Sequence, residues 1–194
     1  CITFVLTDGN LVQMMEPSEL PPMNPVRKAE ERPAWSLTGA VGRRPNVISS
    51  IYIDPVVEES FNRKLMAKQA EIESNEIRYR EFLLDDADLA VVAFGTAGRI
   101  SQSAIRAARE EGIRVGLLRP VSLYPYPYAR VAALADKGQA IVVGEMNGGQ
   151  MVDDVRLAIQ GRVPVEFYGR MGGVTPLPDE ILDQIRRLAG ARRP

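Results

Sequence analysis

The chain has 194 residues, 45% of them hydrophobic and 25% charged, and its 24 basic and 25 acidic residues give a formal charge of -1. This length can bury a core, and the charge balance offers no field for nucleic acid and no polybasic anchor for a membrane. No apolar run approaches the roughly 20 residues needed to span a bilayer. The chain has no histidine and one cysteine, Cys1. It therefore cannot build a histidine proton relay, a Cys-His nucleophile, a conventional zinc site or an iron-sulphur cluster of its own. A single cysteine also excludes an internal disulfide, which agrees with a reducing cytoplasm.

The chain opens with CITFVLTDG, in which Ile2–Leu6 is typical of a buried strand. Neither an initiator methionine nor a signal-peptide pattern is present. A buried parallel strand needs neighbours on both sides, and nothing soon after Gly9 supplies them. We therefore expect a strand remnant of a second α/β domain, and a chain that is a fragment of a longer subunit.

The next stretch is rich in proline, with seven of the 14 prolines between Pro17 and Pro55. It has no sustained helical or strand period, yet its large apolar residues favour a linker held against a protein surface over a free one. From Val56 to about Leu84 apolar residues recur at helical spacing between charged residues. This pattern predicts a long amphipathic helix with a solvated charged face. It leaves open whether the helix is broken near Ser74–Asn75.

After residue 85 short apolar strands alternate with helices. The predicted strands and helices follow in turn over LAVVAF, RISQSAIRAAREEG, IRVGLL, YARVAALADKG, AIVVGE, QMVDDVRLAIQG, VPVEFY and PDEILDQIRRLAG. Such alternation predicts βαβ crossovers and a parallel sheet. Residues 85–194 are therefore expected to form an open, doubly wound, mostly parallel α/β domain.

In such a domain ligands bind at the carboxyl ends of the strands, so the loops there are the candidates for chemistry. GTAGR lacks the third glycine of a dinucleotide fingerprint, and EMNGGQM lacks the ending of a P-loop. For both loops we favour a plain strand-to-helix turn over a phosphate site. In the second loop Glu145 would repel a bound anion, and Asp153 and Asp154 already complement the helix dipole. Polar recognition or a protein contact suits that loop better than phosphate.

Two further features leave alternatives open. YPYPY, residues 124–128, is either an aromatic docking surface or, as we favour, an extended entry into the next helix that its prolines enforce. Arg99, Arg119 and Arg170 each lie at a strand end. Each could bind a carboxylate bidentately or form a salt bridge inside an assembly.

The spacing acid-x-Asn-x-x-Gln-Met occurs twice, each time directly after an apolar run. Its members are Asp8, Asn10, Gln13 and Met14 in the first copy and Glu145, Asn147, Gln150 and Met151 in the second. Unless the repeat is a coincidence, two domains of similar α/β plan use the same strand end for a similar purpose. We predict that Asn147 and Gln150 organise a turn at a domain or subunit interface.

Four segments, in chain order, resemble the alpha subunit of 2-oxoacid:ferredoxin oxidoreductases. They are TDGNLVQMMEP, GRISQSAIRAAREEGIRVGLLRPVSLYPYP, VVGEMNGGQMVDDVRLAIQG and VEFYGRMGGVTPLPDEI. This family comprises thiamine-diphosphate enzymes that decarboxylate 2-oxoacids with coenzyme A and pass electrons to ferredoxin. The resemblance implies that residues 1–25 end a pyrimidine-binding domain, that 26–84 form a linker and helix, and that 85–194 resemble the C-terminal domain of transketolases.

The resemblance also implies that this chain is scaffold and interface, with no catalytic residue and no activity alone. Thiamine diphosphate, Mg and iron-sulphur clusters are then expected in the whole complex and not on this chain. The implied partners are a beta subunit, with gamma and delta subunits as further candidates, and ferredoxin and coenzyme A through a cytoplasmic oligomer. FYGR favours 2-oxoisovalerate as the substrate, with 2-oxoglutarate next.

The interface or site-edge candidates are Asp8, Asn10, Gln13, Glu145, Asn147, Gln150 and Arg170. An alternative function is that of a free-standing nucleotide-binding or regulatory α/β module. That alternative rests on the doubly wound pattern alone, and binding of a nucleotide would distinguish it from the subunit function.

Overall fold

A computed structural model describes residues 2–15, 17–20, 22 and 32–191. Of the predicted linker and helix at 26–84, residues 26–31 lie outside these ranges. The chain forms two compact units, one of Cys1–Met14 with Glu71–Pro194 and one of Met15–Ala70. None of the helices in the described ranges is long and apolar enough to cross a membrane.

Two helices precede the sheet: α1, Gly9–Gln13, and α2, Pro55–Asn75. Helix α2 begins with proline at its first position, and the carboxylate of Asp54 accepts a hydrogen bond from the Val56 N–H at 2.8 Å. Both features favour helix initiation. None of the residues of α2 is buried within the chain.

The predicted helix from Val56 to Leu84 is correct as far as Asn75 and wrong beyond it. The chain leaves the helix there and forms strand β1, Tyr79–Phe82. The break near Ser74–Asn75 is thus where the helix ends. Aromatic residues favour strands, and pairing with a strand distant in sequence outweighs the helical spacing of these side chains.

The remaining elements alternate as the sequence predicts. They are β2 Leu89–Ala93, α3 Gly95–Glu110, β3 Val115–Pro120, α4 Tyr128–Asp136, β4 Ala140–Glu145, α5 Met151–Ile159, β5 Val165–Gly169 and α6 Pro178–Gly190. The strand order is β1-β3-β2-β4-β5. Strand β1 is antiparallel to β3, and all other pairs are parallel. The open, mostly parallel sheet is confirmed, whereas its antiparallel edge was not predicted.

Helices cover both faces of this sheet. Helices α3 and α6 pack with Val91 and Val142 on one face, and α4 and α5 pack with Val92 and Val143 on the other. These four valines are at most 1% exposed. Burial on both faces explains why the strands are continuous apolar runs without alternation.

The direction of winding reverses between β2 and β4. The chain moves from β2 through α3 to β3 on one side, then crosses back through α4 to β4 on the other side of β2. The carboxyl ends of β2 and β4 therefore flank a topological switch point, the position where open α/β sheets bind ligands. The functional candidates of the sequence converge on this edge, which we call the carboxyl edge.

The predicted strand at Ile2–Leu6 is wrong for the described chain. Residues 2–8 have no regular structure, and their large apolar side chains are 77% to 85% exposed. These side chains are Ile2, Phe4, Val5 and Leu6. A strand needs a partner for its backbone groups, and no described strand pairs with this segment.

Two strand glycines offer a test of the packing around the inner strands of the sheet. A Cβ on Gly116 of β3 would lie 2.3 Å from the Leu83 carbonyl oxygen, whereas a Cβ on Gly144 of β4 would meet only the Ala93 side chain at 3.6 Å. Gly116→Ala should lower the free energy of unfolding by about 1–3 kcal/mol because backbone must move. Gly144→Ala is the matched control and should change it far less. Denaturant titration of both variants checks this, and equal losses would contradict it.

Candidate functional site

A buried carboxylate lies at the end of β4. Glu145 has no exposed surface. Its Oε2 accepts hydrogen bonds from the N–H groups of Met151 at 2.9 Å and Gln150 at 3.3 Å, and its Oε1 accepts one from the Val152 N–H at 3.0 Å. These donors are main-chain N–H groups at the start of α5, which lack partners inside the helix. The carboxylate therefore caps the helix and sits where its dipole favours negative charge.

Asn147 shapes the loop around this carboxylate. Its Nδ2 donates to Glu145 Oε2 at 3.0 Å, and its Oδ1 accepts from the Gly149 N–H at 2.7 Å. Gly149 has a φ of +104°, which side-chain-bearing residues rarely adopt. Gly169 lets the strand pass close by, since a Cβ there would lie 2.5 Å from the Asn147 carbonyl oxygen. The two glycines thus serve the turn and not a phosphate.

The position at which a phosphate would bind is consequently filled by the chain itself. We predicted that Glu145 would repel an anion, and the hydrogen bonds add that it takes the anion's place. Asn147 contacts the turn, whereas the Gln150 side chain is exposed and only its main-chain N–H contributes. The interface role of both residues stays a prediction.

The first copy of the acid-x-Asn-x-x-Gln-Met motif reaches the same edge of the sheet. Asp8 caps α1 by accepting from the Leu11 N–H at 2.8 Å, and its other carboxylate oxygen accepts from the Thr96 hydroxyl at 2.7 Å. Thr96 lies in the first turn of α3, directly after β2, and is 6% exposed. Asn10 donates to the Thr175 hydroxyl at 2.6 Å. The segment therefore binds at the carboxyl ends of β2 and β5.

The two copies share one role and differ in geometry. Asp8 and Glu145 each cap the helix that follows, whereas Asn147 bonds to its own acid and Asn10 bonds to a distant threonine. Gln13 is exposed and lies at the end of α1. The roles of Thr96 and Thr175 were not predicted from the sequence, because a threonine after a strand gives no local indication that its hydroxyl binds a residue distant in sequence.

The arginine predicted after β5 is engaged within the chain. The Arg170 N–H donates to the Glu145 carbonyl oxygen at 3.2 Å, and its guanidinium lies 3.3 Å from the Glu180 carboxylate. Hydrogen bonds from the Leu177 N–H and the Tyr168 hydroxyl, with the charge of Arg170, lower the pKa of Glu180. Of the two alternatives for Arg170, the structure shows a salt bridge, here inside one chain.

YPYPY serves mainly as structure. Pro125, Tyr126 and Pro127 are buried, and the Tyr128 hydroxyl donates to Asp154 at 2.5 Å, which raises the pKa of Tyr128 to about 12. The Tyr126 hydroxyl is buried without a hydrogen-bond partner in the described chain, and burial raises its pKa. Tyr124 is 70% exposed.

The carboxyl edge holds no set of metal ligands in the part of the chain that the structure describes. Within residues 2–15, 17–20, 22 and 32–191, no group of three His, Cys, Asp or Glu side chains could hold a metal ion. The polar side chains at this edge bind one another and the backbone. They position a turn, a helix and a docked segment.

The chain is similar in sequence to one protein family and to subunits of known oxidoreductases. Residues 87–181 match the family model described as pyruvate:ferredoxin oxidoreductase core domain II. The ketoisovalerate oxidoreductase subunit VorB of Methanothermobacter thermautotrophicus is 43% identical over 188 residues, which are 96% of this chain and 52% of that protein. The 2-oxoglutarate synthase subunit KorA of Methanothermobacter marburgensis is 36% identical over 101 residues, which are 52% of this chain and 27% of that protein.

A solved structure has a similar fold. The 2-oxoglutarate:ferredoxin oxidoreductase from Magnetococcus marinus superposes with a TM-score of 0.58 at 20% identity, over 70% of this chain and 24% of that chain. The chain therefore belongs to the alpha subunits of 2-oxoacid:ferredoxin oxidoreductases, in the region of core domain II. It spans about half the length of the curated VorB relatives it matches.

The buried carboxylate gives a direct mutational test. Glu145→Gln keeps the side-chain size but turns a donor group toward the helix N–H groups, so we expect unfolding to cost about 2–4 kcal/mol less. Asp153→Asn, an exposed acid in the first turn of the same helix, is the control and should cost under about 1 kcal/mol. Chemical denaturation measures both, and a Glu145→Gln loss no larger than that of the control would contradict the capping role.

The docking of α1 predicts a measurable titration. The Thr96 hydroxyl and then the Leu11 N–H lower the pKa of Asp8. The stability that Asp8 contributes is therefore present above its unfolded pKa of about 3.9 and is lost as pH falls through the lower folded value. In Thr96→Val the pKa of Asp8 should rise toward 3.9, whereas Thr175→Val should leave it unchanged. Carboxyl ¹³C NMR titration decides, and identical Asp8 midpoints in wild type and Thr96→Val would refute the contact.

Proposed function

We propose that this chain is scaffold and interface in an alpha subunit that supports oxidative decarboxylation of a 2-oxoacid to acyl-coenzyme A, with electrons passed to ferredoxin. The observation that carries the proposal is the buried Glu145 carboxylate on the N–H groups of α5. It closes the switch point, where a doubly wound module would otherwise bind its ligand. A free-standing nucleotide-binding module is therefore disfavoured.

The described residues are better suited to a structural role than to catalysis. The chain has no histidine, and the acids at the carboxyl edge are engaged as caps. Thiamine diphosphate supplies the electron sink for decarboxylation in such enzymes. The proposal assigns that cofactor, Mg and the iron-sulphur clusters to the whole complex, because the described residues offer no group of ligands that fits a metal.

The proposed domain organisation follows the family. Residues 1–25 are assigned to the end of a pyrimidine-binding domain, 26–84 to a linker and helix, and 85–194 to a transketolase-C-like domain. The exposure of Phe4, at 81%, and of Val5, at 85%, supports the first assignment, since apolar side chains in such a run belong against another surface. The docking of Asp8 onto Thr96 then joins the two domains directly.

The substrate and partners follow the relatives by name. The VorB relative is named a ketoisovalerate oxidoreductase subunit, which supports 2-oxoisovalerate as the substrate, with 2-oxoglutarate next. A beta subunit is the first proposed partner, with gamma and delta subunits as further candidates and ferredoxin and coenzyme A acting through the complex. The assembly is proposed to be an oligomer in the cytoplasm.

The proposal is tested by reconstitution. The complete subunit, co-expressed with its thiamine- and cluster-bearing partners, should reduce a dye in a reaction that needs both coenzyme A and a 2-oxoacid. The kcat/KM for 2-oxoisovalerate should exceed that for 2-oxoglutarate, and residues 1–194 alone should show no turnover. A well-assembled complex that is inactive with every common 2-oxoacid would overturn the proposal. A micromolar affinity of the chain for NAD, FAD or ATP would favour the nucleotide-binding module instead.

A further inference from the structure

Two arginines face each other at the edge of the sheet. Arg80 of β1 lies directly opposite Arg119 of β3 in the antiparallel pair. Like charges at directly opposed positions destabilise a sheet. Arg119 donates to the Gly95 carbonyl oxygen at 3.2 Å, and burial, followed by the charges of Arg80 and Arg99, lowers its pKa. Within the described residues, neither arginine of this pair forms an ion pair with a carboxylate that would make the arrangement favourable.

A third arginine extends this pair along the same face of the sheet. The guanidinium carbon of Arg106, on α3, lies 5.2 Å from the centre of the Phe82 ring. Phe82 follows Arg80 by two residues in β1, so both side chains point to the face that α3 covers. We call Arg80, Arg106 and Arg119 the arginine surface.

The arginine surface differs from most of the other arginines of this unit. Eight arginines there form an ion pair with a carboxylate of the same chain: Arg78, Arg109, Arg114, Arg130, Arg156, Arg162, Arg170 and Arg186. In the described ranges, none of the three members of the arginine surface has such a pair. The chain has 25 acidic residues, so a shortage of carboxylates does not explain the difference. An acidic partner from outside the chain would supply a carboxylate to the arginine surface.

The surroundings indicate that the partner is a protein. Val121 is 55% exposed and Tyr124 is 70% exposed, and both lie in the segment directly after β3. Arginine, tyrosine and apolar side chains are enriched in protein interfaces. Strand β1 also leaves its outer backbone groups open as the edge of the sheet.

We propose that the arginine surface binds a carboxylate-bearing segment of another subunit of the complex. This proposal rests on the proposed function in one respect, which is that the partner is another subunit of the same complex. Arginine suits this role because its planar guanidinium binds a carboxylate through two parallel hydrogen bonds. The contact would place the antiparallel edge of the sheet, and not its carboxyl edge alone, at a subunit boundary.

Cross-linking in the assembled complex identifies the occupant. Arg80→Lys, Arg106→Lys and Arg119→Lys each keep the charge and add an amine that a carbodiimide joins to a carboxylate in contact. Mass spectrometry should then find links from these positions to Asp or Glu of a partner subunit. Arg187→Lys, at an exposed arginine of α6 without an ion pair in the described chain, is the control and should give none. Links only to carboxylates of the same chain, or no links, would overturn the proposal.

A second measurement does not depend on lysine geometry. The double variant Arg80→Gln/Arg119→Gln should bind the partner subunits about tenfold or more weakly at low salt and lose part of the salt dependence. Arg187→Gln should bind as wild type does, and melting temperatures show that each variant is folded. Unchanged association of a folded double variant with the partner subunits would overturn the proposal. So would a double variant that loses only the binding of inorganic phosphate and still associates with the partner subunits as wild type does. A wild-type complex that turns over 2-oxoacid while the double variant associates normally refutes the surface and leaves the proposed function standing.

Discussion

The carboxylate of Glu145, buried without exposed surface at the end of β4, supplies the negative charge that the N-terminus of α5 requires. A buried charge is unfavourable unless hydrogen bonds satisfy it, and here three main-chain N–H groups and the Asn147 amide do so. The loop, the first turn of α5 and the approach of β5 through Gly169 all depend on this arrangement. A feature that resembles a ligand cradle in sequence is thus an internal cap.

The two edges of this sheet that could contact other molecules are organised differently. At the carboxyl edge, charges and hydroxyls are paired within the chain, as Asp8 with Thr96 and Arg170 with Glu180. At the antiparallel edge, Arg80 and Arg119 lie opposite each other, and neither forms an ion pair with a carboxylate of the described chain. The first edge holds segments of the subunit together, and the second is suited to a partner. Both agree with the proposed role in assembly.

Much of the fold could be predicted from the sequence because burial on both faces makes each parallel strand a continuous apolar run, as in LAVVAF and AIVVGE. Strand β1 could not, since Tyr79 and Phe82 have helical spacing and their partner strand lies far along the chain. The acid at position 145 was recognised as incompatible with phosphate, but its burial depends on the turn that Asn147 and Gly149 make. The contacts of Asp8 and Asn10 join segments that are distant in sequence, which no local pattern encodes.

The central claim is that the chain's own carboxylate occupies the anion position at the switch point. Hydrogen–deuterium exchange of the peptide spanning Asn147–Val152, in the assembled complex, tests it most directly. Strong protection of the Met151 and Val152 amides is predicted without any ligand, and no change on adding phosphate, ATP or coenzyme A. Fast exchange that becomes slow on addition of any of these anions would contradict the account.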